Sequence, residues 1–472
     1  MLKKTIFTFL SCLLLLNCHG QELLGLATEN YSGINSIFLN PANNLTTTLN
    51  WDINLIASGQ FFDNNIGGFK NSALPELIKR NNDFYLATDF NSDQEFPNGS
   101  IVFDFNQPGN KKFIYNSSHI LGPSFMVNLE KHSFGVFTGF RALVSGHQIP
   151  AVLGYYDYKN ILVSSDYNVG PAIISGMAWG EIGVNYLYKA KTNIGLLGIA
   201  INLKYLQGYE SFFIHNNSLL NNTRLDRDVI SFNRGADIEF GFTTSSIDRE
   251  ALHLRKNGNG FGLDIGTTVA SPDYPQGSGY KLGLSLIDLG KIRFNKLTEV
   301  HKIDIDNSFL FNPRNLDDVS SFRDGLNQLN EELFNGTRST LSGDNYTLWL
   351  PGALCLQADF AIRENLFLNT TLLHRIAFNR KSASRGHLLA ITPRFESRWI
   401  TGFIPVSIFN YRHAKIGAAI RLGFLTLGSE DLLSFFSQRN LNSSDAYIAL
   451  KLNPLNLGWE KRSRKNIECY EF

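Results

Sequence analysis

The stretch GFGLDIGTTV, residues 260–269, decides the class of fold. Apolar or β-branched side chains occupy every second position, and glycines with one carboxylate, Asp264, fill most of the others. Successive side chains of a β-strand point to opposite faces, so the pattern predicts a strand with one apolar face. The same alternation recurs in AKIGAAIRLGFL (414–425), which contains Arg421, and in LQADFAIR (356–363), which contains Asp359. The chain is therefore expected to be all-β.

The lengths of the connections favour a barrel over a β-sandwich, which also shows alternation. Tight connections are predicted near residues 130–132, 190–192, 289–290 and 364–365, and long ones at about 149–175, 209–234 and 306–345. Outer-membrane barrels combine short periplasmic turns with long extracellular loops in this way. We predict a transmembrane antiparallel β-barrel of about fourteen strands, or sixteen, because residues 402–429 can be divided into two or three strands.

Both ends of the chain and one loop are predicted to lie outside the barrel wall. A positive start and a short apolar run make residues 1–20 a predicted signal peptide, with lipidation at Cys18 as the alternative to ordinary cleavage. The remaining organisation is a hatch or plug segment (21–49), the barrel (50–457) and a basic periplasmic tail (458–472). Apolar residues at helical spacing in 315–334 predict an amphipathic helix in an extracellular loop. The expected location is the cell outer membrane.

The composition and the missing motifs exclude several classes of function. The net charge is +1, so the chain lacks the basic footprint of a nucleic-acid-binding protein. The sequence contains no zinc, nucleophile-elbow or phosphate-loop signature. We therefore expect no enzyme activity, no cofactor and no metal. The candidate lumenal charges Asp264, Asp359 and Arg421 are expected either to form a charged constriction or to satisfy one another.

The most informative motif precedes the first strand, which is expected to begin near Trp51. Residues 31–36 read YSGINS and residues 38–43 read FLNPAN. Proline fixes its own φ and keeps the preceding residue extended, while asparagine side chains bond to nearby backbone in turns. The segment is expected either to lead in from the periplasm or to fold back into the lumen as a plug. Its candidate hatch residues are Ser32, Gly33, Asn40, Pro41 and Ala42.

Ser-Gly at 32–33, followed by Asn-Pro-Ala at 40–42, resembles the N-terminal hatch of the FadL-like fatty-acid transporter superfamily. That superfamily includes accessory barrels of the type IX secretion system. The chain is more similar still to an uncharacterised group of Bacteroidota outer-membrane proteins. The matching stretches are residues 30–43, 260–266, 284–290 (LSLIDLG) and 421–429 (RLGFLTLGS). The resemblance implies a fourteen-stranded barrel with an N-terminal plug, and sideways passage of hydrophobic molecules through the wall.

Two functions remain open from the sequence. The first is passage of a small hydrophobic compound across the outer membrane, with that compound and membrane lipid as the binding partners. The second is a non-transporting scaffold or accessory barrel in a secretion or assembly complex, with protein partners. The long loops and the basic tail favour the second function, and the hatch motif favours the first.

Overall fold

A computed structural model describes most of the chain. The predicted signal peptide (1–20), with Cys18, and the predicted basic tail (458–472) lie outside the described residues. The described residues are 22–79, 98–103, 112–149, 166–226, 229–233, 235–245, 254–275, 278–312, 321–379, 381–436 and 440–454.

Fourteen strands form the wall, and several of them are built from two or three segments. The strands are β1 (Trp51–Asn64), β2 (Lys112–Leu121 and Ser124–Asn128), β3 (His132–Ile149), β4 (Ala172–Thr192), β5 (Gly195–Asn216), β6 (Ala236–Thr243 and Gly258–Ala270), β7 (Tyr280–Phe294 and Thr298–Ile305), β8 (Leu341–Gly343, Tyr346–Trp349 and Ala353–Arg363), β9 (Leu366–Arg375), β10 (Leu388–Glu396), β11 (Ile400–Phe403 and Val406–Phe409), β12 (His413–Ile416 and Ala418–Leu422), β13 (Leu425–Ser429) and β14 (Ser443–Leu452). Each strand pairs antiparallel with the next, and β14 pairs with β1 to close the barrel. The predicted fourteen-stranded antiparallel barrel is confirmed. Residues 402–429, for which two or three strands were expected, belong to three strands, β11 to β13.

The two faces of the wall differ as the alternation predicts. In β6, Phe261 is 70% exposed and Ile265 is 44% exposed, whereas Asp264 between them is buried. Exposed apolar side chains recur around the wall, among them Val184, Ile199, Leu284 and Ile420. Outward apolar residues on a closed barrel form the surface that meets lipid. The wall is therefore that of a transmembrane barrel.

The predicted tight turn at Leu289-Gly290 is wrong. The first segment of β7 runs through these residues to Phe294. Leu263 of β6 lies opposite Leu289, but Ile265 lies opposite Leu286, so β7 carries an extra residue between them. Asp288 in this bulge has a φ of 58°. Asp and Gly close together resemble a turn in the sequence, but here the Asp bends a continuous strand.

The two ends of the barrel differ. Connections such as 129–131, 193–194 and 364–365 are short and lie at one end, here called the short-turn end. The opposite, long-loop end carries an extra four-stranded sheet made of Asp166–Val169, Leu220–Asp226, Val229–Phe232 and Phe309–Phe311. Gly67–Phe69 and Ile101–Phe103 form a separate two-stranded ladder, and Phe69 is bridged to Leu441 just before β14.

The residues that the structure describes form four α-helices, α1 (Leu24–Ala27), α2 (Leu74–Lys79), α3 (Phe322–Phe334) and α4 (Leu433–Phe436). The helix predicted over 315–334 is confirmed as α3, although residues 315–320 lie outside the described part. The hydroxyl of Ser321 caps α3 by accepting a hydrogen bond from the backbone N–H of Asp324 at 3.1 Å. No helix among the described residues is long and apolar enough to span a membrane.

Candidate functional site

Residues 22–49 lie inside the barrel and are called the plug here. The segment contains α1 and two short 3-10 helices, Gly33–Phe38 and Asn43–Thr46. Nearly all of its residues are buried, including the polar Asn40 and Asn44. The plug fills the part of the lumen next to the short-turn end, which we call the plug half.

The Asn40-Pro41-Ala42 motif anchors the plug to strands β4 and β6. The Asn40 amide nitrogen donates to the Thr267 carbonyl at 3.2 Å and to the Thr268 hydroxyl at 3.1 Å. Its amide oxygen accepts from the backbone N–H of Ala42 at 2.9 Å, which closes a tight turn. The Pro41 carbonyl accepts from Asn185 of β4 at 3.2 Å. One asparagine thus shapes the motif and attaches it to the wall.

Glycines on the wall make room for this asparagine. A β-carbon on Gly266 would overlap the Asn40 amide oxygen, and one on Gly283 would collide with its amide nitrogen. The glycine-bearing face that the alternation predicts is therefore the docking surface of the plug. Gly266 belongs to the same stretch that decides the fold.

The Ser32-Gly33 pair lies against strands β1 and β14. Gly33 has a φ of +55°, and a β-carbon there would overlap the carboxylate of Asp52. Asp52 accepts from the backbone N–H of Ile34 at 2.9 Å. Lys451 pairs with Asp52 at 3.2 Å and donates to the Ser32 carbonyl at 2.7 Å. Only glycine combines this backbone conformation with so close an approach.

Each candidate lumenal charge is buried and has a partner of its own. Arg421 pairs with Glu29 of the plug at 2.8 Å. Arg394 binds Asp359 through two parallel hydrogen bonds of 2.9 and 2.8 Å. Asp264 pairs with Lys204 at 2.7 Å. The three candidates do not pair with one another, so that alternative is wrong, and a charged constriction stays a prediction.

The sequence interpretation missed a central charge cluster built around Asp288. Its carboxylate accepts from Arg141 through two hydrogen bonds of 2.8 Å, from Lys204 at 2.9 Å and from Arg385 at 2.7 Å. Arg385 also reaches Glu22 of the plug at 3.2 Å. Arg141 and Lys204 lie on the inward faces of β3 and β5, whose sequences alternate between apolar and polar residues. This alternation could have identified both as lumenal charges. The central charge cluster is defined as Arg141, Lys204, Arg385, Asp264, Asp288, Glu22 and Glu181.

Burial makes the ionised form of Glu22 in this cluster unfavourable. Burial raises the pKa of its carboxyl, because desolvation outweighs the opposing effect of the Arg385 and Arg141 guanidinium groups. An ionised Glu22 in the lumen therefore depends on these guanidinium groups.

Arg385 comes from residues 381–387, which form an inner loop that folds into the lumen from the long-loop end. The Ser382 hydroxyl accepts from the backbone N–H of Trp349 in β8 at 2.6 Å. The Ser384 N–H donates to the Ser145 hydroxyl of β3 at 2.9 Å. The loop connects β9 to β10, so the bond between Ser384 and Ser145 carries it across the lumen to β3.

The lumen lining becomes apolar on the side of the central charge cluster that faces the long-loop end; this part is the loop half. On each strand, the inward residue one step closer to the long-loop end is apolar. It is Leu143 beyond Arg141, Trp179 beyond Glu181, and Leu206 beyond Lys204. Phe61 packs edge-on against Phe409, with ring centroids 4.7 Å apart. The other large apolar residues of this lining are Tyr115, Met177, Phe213, Ile292, Phe294, Tyr346, Leu348 and Leu350. Buried ion pairs occur in this half as well, such as Lys415 with Asp431 at 3.3 Å, but most large side chains of the lining are apolar.

A small cavity separates the plug from the inner loop. Asn35, Phe38, His119, Leu143, Trp179 and Arg385 are among its lining residues. Its volume open to the centre of a water molecule is about 30 Å³, which is room for roughly two waters. Neither amide atom of Asn35 has a protein partner, so bound water would satisfy them. The described part of the lumen is closed to any larger molecule.

Comparisons with solved structures give distant similarities. The toluene transporter TbuX of Ralstonia pickettii is 9% identical, with a TM-score of 0.38 and coverage of 89% of this chain and 94% of TbuX. A deltaS2 mutant of the monoaromatic hydrocarbon channel TodX is 10% identical, with a TM-score of 0.39 and coverage of 89% and 93%. The translocator domain of autotransporter NalP from Neisseria meningitidis is 9% identical, with a TM-score of 0.31 and coverage of 85% and 88%. Because every TM-score is below 0.5, these similarities carry no argument about function.

Sequence comparison adds the family. No curated protein matches the chain. A family model described as a family of unknown function, DUF5723, matches residues 41–430. This range covers most of the chain, from the Pro41 of the plug motif to the connection after β13. The chain therefore belongs to the DUF5723 family.

Proposed function

We propose that this protein is a non-enzymatic outer-membrane barrel, FadL-like in design, that passes a small, uncharged hydrophobic compound into the periplasm. The apolar loop half of the lumen is the observation that carries the proposal. Barrels that conduct polar solutes have polar interiors. A lining of aromatic and aliphatic side chains instead gives a hydrophobic compound a favourable environment inside the wall.

The same site favours an uncharged compound. Arg141, Lys204 and Arg385 are each bound to at least one carboxylate. An anionic compound would have to replace a carboxylate that is already in place, and a buried charge without a partner is costly. The central charge cluster therefore opposes ions and leaves neutral molecules unaffected.

Passage requires both the plug and the inner loop to move. The short-turn end faces the periplasm in this proposal, because long loops are extracellular in outer-membrane barrels. A compound would enter the loop half and leave once the plug releases its contacts with β4, β6 and β14. The many hydrogen bonds of the plug make the closed state the resting state.

The proposal is tested with purified protein in liposomes. Flux of a neutral probe such as 1-octanol is compared for the unaltered protein, Gly266→Ala and Gly402→Ala. A β-carbon on Gly266 displaces Asn40, whereas the space around Gly402 is open, so Gly402→Ala is the matched control. Faster flux only in Gly266→Ala supports transport. Equal flux in all three, at the level of empty liposomes, contradicts it.

A scaffold role is the second candidate, and one observation favours it. The long-loop end exposes Leu219, Leu225 and Leu310, each more than 50% accessible, on or beside its extra sheet. Clustered exposed apolar residues are typical of protein interfaces. Purification from outer membranes in mild detergent, with mass spectrometry of co-eluting proteins and lipids, separates the candidates. A stoichiometric protein partner without a small hydrophobic ligand supports the scaffold, and a monomer that carries such a ligand supports transport.

A further inference from the structure

Arg385 is the one described side chain that bridges the plug, the inner loop and the wall through charged groups. One nitrogen of its guanidinium group donates to Glu22 of the plug at 3.2 Å, and another donates to Asp288 of β7 at 2.7 Å. The planar fork of arginine can hold two carboxylates at once, which a lysine ammonium does less well. We infer that Arg385 couples the two closures of the lumen, so that opening of the inner loop loosens the plug and release of the plug loosens the inner loop.

The inner loop has enough contacts to be a closure in its own right. Ser382 and Ser384 bind β8 and β3 at 2.6 and 2.9 Å, and Ala383 between them is 2% exposed. A β-carbon on Gly386 would overlap the Phe409 ring, so the loop also lies tightly against β11. These contacts hold the loop across the lumen without help from the plug. Coupling between loop and plug therefore has to run through the contacts that join them.

The plug is a second closure with separate contacts. Asn40, Gly33 and Glu29 attach it to β6, β1 and β12, and none of these contacts involves the inner loop. Each closure could thus move alone if nothing connected them. The Glu22–Arg385 pair provides the connection, since it joins the first described plug residue to the loop.

The direction of the coupling follows from burial. If the inner loop withdraws, Arg385 leaves Glu22 and Asp288 behind, and a buried carboxylate that loses its partner destabilises its surroundings. Glu22 is the group that can escape, because the plug is not part of the wall. If the plug withdraws first, Arg385 loses one of its two carboxylates and the loop is held less firmly. Coupling of this kind is reciprocal by thermodynamic necessity.

The test uses the full-length protein in detergent, with its four cysteines, Cys12, Cys18, Cys355 and Cys469, changed to Ser. A single reporter cysteine replaces Ala383, which is buried in the inner loop, and maleimide labelling of that cysteine measures loop opening. Gly266→Ala, on β6, loosens the plug at Asn40. None of the bonds described above joins the inner loop to this site. We expect Gly266→Ala to raise labelling at position 383 about fivefold when Arg385 is present. In the Arg385→Met background, we expect the same change to alter labelling by less than twofold.

The reverse direction uses a reporter cysteine at Ala27, which is buried in the plug. Arg385→Met is expected to raise its labelling about tenfold, and adding Glu22→Gln is expected to restore much of the protection, because no buried carboxylate then lacks a partner. Arg385→Lys, which keeps the charge, should lie between, and it serves if Arg385→Met folds poorly. Arg375→Met is the matched control, because Arg375 contacts His147 at the root of the loop and not the plug.

The coupling is overturned if Gly266→Ala leaves labelling at 383 unchanged, or changes it equally with and without Arg385. It is also overturned if Arg375→Met exposes position 27 as much as Arg385→Met does. The readout is labelling rather than flux, so a coupled protein that transports nothing remains distinguishable from an uncoupled transporter.

Discussion

The plug half and the loop half of the lumen close the same barrel by different physical means. In the plug half, a segment that packs leucines and isoleucines against the wall is fixed in one position by hydrogen bonds and ion pairs, such as those of Asn40 and Arg421. In the loop half, apolar side chains of the wall face inward and contact one another, as Phe61 and Phe409 do. Directional polar contacts specify one docking position, whereas apolar contacts specify little beyond exclusion of water. The plug half is therefore suited to gating and the loop half to holding a hydrophobic compound.

The central charge cluster at the boundary gives the largest expected effect. Asp288→Asn leaves Arg141, Lys204 and Arg385 without their shared carboxylate, and loss of one partner in a buried ion pair costs roughly 3–5 kcal/mol. We expect the free energy of unfolding in denaturant to fall by about this amount. Asp237→Asn is the control, since Asp237 is exposed and lies 3.9 Å from an exposed Lys302. Equal stability of the two variants would show that the boundary does not depend on this cluster.

An intermediate effect is expected where the plug docks. Gly266→Ala pushes the Asn40 amide away from Thr267 and Thr268, and a buried polar group left unsatisfied costs roughly 1–3 kcal/mol. Labelling of a cysteine at Ala27 should then rise about tenfold, because ~1.4 kcal/mol corresponds to a factor of ten. Gly402→Ala should leave the rate unchanged. If both variants label alike, Asn40 is not what holds the plug in place.

The last prediction concerns charge selection. With the plug loosened by Gly266→Ala, flux of 1-octanol should exceed flux of octanoate at neutral pH about tenfold beyond the ratio found for empty liposomes. The physical reason is that each cation of the central charge cluster already has a carboxylate partner. A preference for octanoate would mean that the cluster recruits anions. The conclusion that the central charge cluster opposes ions would then be wrong.

Much of the fold could be predicted from alternation alone. The glycine-bearing face at 260–266 identifies the inward side of β6, and the motif at Asn40 indicates a rigid segment before the wall. Their mutual contact could not be predicted, because Asn40 and Gly266 are far apart in the chain and neither residue type requires the other. The turn predicted at Leu289-Gly290 failed for a related reason: the residue types of a tight turn and of a bulge overlap.

The inner loop shows most clearly what could not be predicted from the sequence. Residues 381–387 read KSASRGH, which resembles an ordinary solvated loop. Small serines and a glycine let the segment enter a crowded lumen, but nothing local indicates that it does so. The burial of Arg385 depends on two carboxylates outside the loop, Asp288 of β7 and Glu22 of the plug.

The sequence by itself determined an all-β chain, a wall with one apolar face, and a rigid, non-strand segment ahead of the first strand. Those properties follow from period-two alternation and from proline and asparagine geometry, which act between near neighbours. Tertiary structure alone decided which charges meet. By parity with Leu284 and Leu286, Asp288 would face lipid, and one extra residue in β7 turns it into the lumen. Closure of the barrel then brings Arg141, Lys204 and Arg385 to it, because partners for a buried charge are chosen by distance in space and not along the chain.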